Sequence, residues 1–74
     1  MAAPGEIPPD HYRVLEVHPE ARVEVIEAAF VVLRELALGD ESPGGARRLV
    51  DLNHAHAVLT NPERRARYDA ARSE

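Results

Sequence analysis

The chain has no cysteine, no lysine and no tryptophan, and a single phenylalanine among its 74 residues. Without cysteine, neither a disulfide framework nor a thiolate metal site can reinforce the fold. All nine basic residues are arginine, set against 13 acidic ones, for a formal net charge of −4. That acidic balance argues against nonspecific duplex binding, which needs many phosphate contacts. No polybasic patch for a membrane surface is present. No apolar run approaches the roughly 20 residues of a membrane span. Met1 to Pro9 has neither the basic start nor the apolar stretch of a signal peptide. The expected compartment is the cytoplasm.

What is present fits one small helical domain with a thin core. Met1 to Pro9, with three prolines and a glycine, reads as an extended N-terminal arm before a domain over 10–72. Asp10 suits the N-cap of a short first helix, about His11 to Glu16, closed by His18-Pro19. A second helix over 23–38 follows from Ile26, Ala29, Phe30, Leu33 and Ala37, which fall on one stripe. Gly39 is expected to cap it in a left-handed conformation, and Asp40 to Gly45 to form a loop. The third helix, about 46–59, stacks Leu49, Leu52, His56 and Leu59 with Ala55 beside them. Asn61-Pro62-Glu63 starts a fourth, anchored by Tyr68 and ending near Arg72. The expected fold class is all-α: an antiparallel helix pair flanked by two short helices.

Motifs for catalysis are missing. The glycines at 39, 44 and 45 lack the lysine that a phosphate-binding loop needs. Ser42, Thr60 and Ser73 have no neighbouring base to activate them. His54 and His56 are two apart and project from different sides of a helix, which does not suit chelation. His56 is expected as a hydrogen-bonded core or boundary histidine. No enzyme activity, metal or cofactor is therefore expected.

Several strings together point further. They are Asp10-His11-Tyr12-Arg13-Val14-Leu15, then Pro19 and Ala21, and Ile26, Ala29, Phe30 and Leu33. Towards the C-terminus come Leu52-Asn53, Ala55, Val58-Leu59, Asn61-Pro62 and Glu63-Arg64-Arg65-Ala66-Arg67-Tyr68-Asp69. Over about 10–69 this resembles the J-domain of DnaJ-like co-chaperones. The resemblance implies the helix pair with two short flanking helices, and a DnaK-type ATPase as partner. It also implies a His-Pro-Asp trigger after the second helix, where this chain reads Leu38-Gly39-Asp40.

The departures cluster. Where the family carries basic pairs on the second helix, this chain has Glu27-Ala28 and Val31-Val32. Arg34 is the one base there, against Glu24, Glu27 and Glu35. An acidic helix facing an acidic partner surface is repelled. Val25, Val32 and Leu36, with Ala28 beside them, lie about 80–120° round the helix from the core stripe. Val31 and Leu38 lie further round among the glutamates. This face is expected to bind a protein partner or a second copy of the chain. The expected function is a degenerate J-like interaction module, an accessory subunit or assembly factor that does not stimulate a DnaK-type ATPase. Two alternatives stay open: an active co-chaperone with an atypical trigger, or nucleic-acid binding through a candidate basic patch at Arg64, Arg65 and Arg67.

Overall fold

The computed structural model describes residues 10–72, so the expected arm over 1–9 lies outside the described residues. Four helices and no strand occur among them: α1 (His11–Val14), α2 (Val23–Leu38), α3 (Pro43–Leu59) and α4 (Pro62–Arg72). Helices α1, α2 and α4 each pack against α3. Phe30, in the first half of α2, stacks on His56 near the end of α3, with ring centroids 4.0 Å apart. At the other end the Ala37 carbonyl lies beside Gly45. The two long helices therefore run antiparallel.

The core is the set of side chains that their helical periods turn inward. Tyr12 and Leu15 come from the first segment, Ile26 and Ala37 from α2, and Leu52, Ala55 and Leu59 from α3. Burying a residue such as Leu15, Ile26 or Leu59 stabilises by about 1.5–3 kcal/mol each. With so few fully buried side chains, polar links between helices matter more than in a larger domain. The main one ties α1 to α4. The Tyr12 hydroxyl donates to Asp69 Oδ1 at 2.5 Å and accepts from Arg65 Nε at 3.1 Å. Arg65 Nη2 also donates to the carbonyls of Pro19 (3.1 Å) and Ala21 (2.8 Å), fixing the α1–α2 connection. Burial and the hydrogen bond to Asp69 push the Tyr12 hydroxyl above the ordinary phenol range.

Three boundaries differ from the sequence expectation. Helix α1 ends at Val14 because Glu16 turns left-handed, at φ 54°. Its N–H donates to the Arg13 carbonyl and that of Val17 to the Tyr12 carbonyl, both at 3.0 Å, the pairing of a Schellman cap. Glycine usually fills that position, because a Cβ is costly there. Gly39, expected to be left-handed, is instead right-handed at φ −78°, and its N–H donates to the Glu35 carbonyl at 3.1 Å.

Helix α3 starts three residues before the expected 46. Pro43 takes the first helical position, where its fixed φ fits and its missing N–H costs nothing. Gly45 is buried at the helix corner, where an added Cβ would lie 2.2 Å from the Asp40 carbonyl oxygen. A Cβ on Gly39 would meet nothing closer than 3.7 Å. Gly45→Ala is accordingly expected to destabilise the fold by about 1–3 kcal/mol through overpacking. Gly39→Ala is expected to be neutral or to stabilise by up to about 1 kcal/mol. Urea denaturation midpoints of the two variants check the contrast.

Candidate functional site

Three places carry the candidate residues: the α2–α3 corner, the outer face of α2, and α4. At the corner, Leu38 is 58% exposed. Gly39 continues the right-handed turn, and the Asp40 N–H donates to the Ala37 carbonyl at 3.1 Å. The Asp40 carboxylate faces α3. Its Oδ1 accepts from the Ser42 N–H at 2.9 Å, and its Oδ2 from Arg48 Nη2 at 2.5 Å. Hydrogen bonds from Ser42, then the nearby Arg48, hold its carboxyl below the usual carboxylate range. Asp40 thus organises the entry to α3, while Leu38 presents hydrocarbon to solvent.

On α2 the structure leaves Val25, Ala28, Val31, Val32, Leu36 and Leu38 exposed. It does not bring all six onto one surface. Val25, Ala28, Val32 and Leu36 border a groove between α2 and the turn that follows α1. Val31 and Leu38 fall on the far side of a ridge formed by Glu24 and Glu35, by the helical period. The groove's other wall was not legible in the sequence. It comes from Leu15, Glu16 and Val17, and towards the corner from Asp51 and Leu52. The left-handed turn at Glu16, which follows Leu15 and precedes Val17, carries no glycine to announce it.

Helix α4 does not present its arginines as one patch. Arg65 is half-buried in the Tyr12 clasp. Arg72 Nη2 donates to Asp10 Oδ2 at 3.1 Å, and its guanidinium lies 4.9 Å from the Tyr12 ring centroid. Arg64 and Arg67 are exposed, Arg67 lying 3.8 Å from Glu63 one turn earlier. The basic surface that the sequence suggested is thereby split between packing and solvent.

The histidines also serve packing. His56 Nε2 is hydrogen-bonded to Glu27 Oε1 across the helix pair, while the ring stacks on Phe30. His11 stacks on Tyr68 at 4.5 Å and meets the edge of His54 at 5.1 Å. Burial, then the nearby His54, lowers the His11 pKa below the ordinary histidine value. Among the described residues no three His, Cys, Asp or Glu side chains converge as a metal site. No helix among them is long and apolar enough to cross a membrane.

The split of the arginines yields a direct test. Arg65→Ala removes three hydrogen bonds, two of them to the Pro19 and Ala21 carbonyls, so a loss of about 1–3 kcal/mol is expected. Arg64→Ala and Arg67→Ala are expected to stay within about 0.5 kcal/mol of the parent. Thermal melts of the three variants distinguish a clasp residue from surface ones.

Comparison with known proteins gives one family. The family model described as "DnaJ domain" matches residues 10–69. The mouse DnaJ homolog subfamily C member 4 is 38% identical over 73 residues, covering 92% of this chain and 30% of that protein. The DnaJ homolog subfamily B member 14 of Xenopus laevis is 38% identical over 69 residues, covering 86% of this chain and 18% of that protein. The chaperone protein DnaJ of Carboxydothermus hydrogenoformans is 36% identical over 66 residues, covering 81% and 16%. The chain therefore spans less than a third of the length of these curated relatives. No solved structure gives a significant match.

Proposed function

This chain belongs to the DnaJ domain family, and on that footing we propose that it docks a protein partner and does not stimulate a DnaK-type ATPase. DnaJ-domain proteins work through protein partners, DnaK-type chaperones among them. The observation that carries the finer reading is the α2–α3 corner. The His-Pro-Asp that the resemblance implies is Leu38-Gly39-Asp40 here, and the remaining aspartate is bonded to Ser42 and Arg48.

A second departure supports the first. The outer face of α2 offers valine, alanine, leucine and glutamate where the family presents bases. An acidic partner surface would meet Glu24, Glu27 and Glu35, and like-charge juxtaposition in an interface costs several kcal/mol. Loss of the trigger together with reversal of the face's charge supports a changed task. In this reading the domain is a non-enzymatic accessory subunit or assembly factor of a larger complex.

A second reading, in which the chain is an active co-chaperone with an atypical trigger, draws on relatives named chaperone protein DnaJ. A steady-state ATPase assay with the host's DnaK-type chaperone separates the two. A DnaJ domain carrying His-Pro-Asp serves as the positive control. The expected result is hydrolysis at the chaperone's own basal rate across a full titration of the chain. Saturable stimulation would overturn the docking reading in favour of the co-chaperone.

A further inference from the structure

The groove beside the apolar strip of α2 has two halves that meet at Glu16. Val17, Val25 and Val32 line one half, and Leu36, Asp51 and Leu52 the other; Leu33 and Glu16 belong to both. From Val25 to Leu36 the helix rises about 16 Å, three turns. Val25, Val32 and Leu36 are 50%, 57% and 64% exposed, so the apolar wall faces solvent along its whole length.

The charge around the groove is mainly acidic. Glu16 and Asp51 line it, and Glu24 and Glu35 border the strip on its outer side. Asp51 has an ion partner in Arg47 of its own helix, at 3.8 Å, with a side chain 77% exposed. Among the described residues the one cation lining the groove is Arg48, and Asp40 already holds it at 2.5 Å. Glu16 adds an independent observation. It occupies a left-handed position where glycine is cheapest, yet keeps a carboxylate at the junction of the two halves.

From this complementarity we infer that the groove docks a cationic amphipathic helix of a partner protein. Its apolar spine lies against Val25, Val32 and Leu36, and its lysines or arginines meet Glu16, Glu35 and Asp51. The inference rests on the docking reading above and names the chemistry of the partner. Apolar anchors at helical spacing supply affinity, as in helix-in-groove recognition, and the acidic border selects the charge. A second copy of this chain is the poorer occupant. Its arginine-rich α4 keeps Arg65 and Arg72 turned inward on Tyr12 and Asp10.

Fluorescence anisotropy with two labelled synthetic peptides tests this on the full chain. Both are about four helical turns long with the same leucine spine. One carries lysine flanks and the other glutamate flanks. The lysine peptide is expected to bind at least about tenfold more tightly, with an affinity that falls as salt rises. Val32→Ser combined with Leu36→Ser, both at exposed positions, should abolish binding with helicity unchanged. Glu16→Gly relieves the left-handed residue, so it should raise Tm while weakening the lysine peptide at least about threefold. A merely structural Glu16 would not change the affinity.

Equal affinity for both peptides, still lost in the double serine variant, overturns the cationic partner and leaves docking through the strip intact. Binding of neither peptide also overturns the inference. Binding that persists undiminished in the double variant overturns the docking reading with it. Concentration-dependent sedimentation of the chain alone, abolished by the same variant, would assign the groove to a second copy instead.

Discussion

The bundle closes on one buried hydroxyl. Tyr12 donates to Asp69 and accepts from Arg65, and Arg65 reaches on to the Pro19 and Ala21 carbonyls. One arginine thus joins the first helix, the connection into the second and the last helix. The core beneath it is thin, so the hydrocarbon alone leaves a small margin. A satisfied polar network of this kind also fixes which arrangement of the helices is reached, because a half-satisfied one would be costly. The cation–π contacts of Arg65 and Arg72 with the Tyr12 ring strengthen the same junction.

That economy leaves the outer face of α2 unused by the other described helices. The clasp and core use Ile26, Ala37 and the residues turned toward α3. They place no demand on Val25, Val32 or Leu36, which remain more than half exposed or close to it. The identity of these outer residues is therefore not fixed by the fold. The corner follows the same logic. Asp40 is retained in the sequence, but its bonds to Ser42 and Arg48 explain it as the organiser of the α3 entry. Gly45 then allows the two helices to meet against the Asp40 carbonyl.

Much of this was legible in the sequence, because it depends on local pattern. The stripe from Ile26 to Ala37 gave α2 its bounds, and Asn61-Pro62 gave α4 its start. His56 was legible as a hydrogen-bonded core or boundary histidine, and it sits between Phe30 and Glu27. The differences came at the helix ends, where the geometry of the turn overrode residue preference. Ser-Pro-Gly-Gly reads as a loop, yet Ser42 caps α3 and Pro43-Gly44-Gly45 forms its first turn. A glycine at 39 suggests a left-handed cap, but the chain turns right there and puts Glu16 in the left-handed position instead. Within the arginine run of α4, nothing local says which one points at a tyrosine 53 residues away, and it is Arg65.

The central claim is that trigger and charged face changed together, so that restoring one does not restore the activity. The double substitution Leu38→His and Gly39→Pro rebuilds the His-Pro-Asp string on an α2 face that stays acidic and apolar. Its effect on steady-state ATP hydrolysis by a DnaK-type chaperone, with circular dichroism confirming the helical fold, is the most direct measurement. Hydrolysis at the basal rate is the predicted result. Stimulation matching that of a DnaJ domain with its own His-Pro-Asp would contradict the claim and leave a co-chaperone lacking nothing but its trigger.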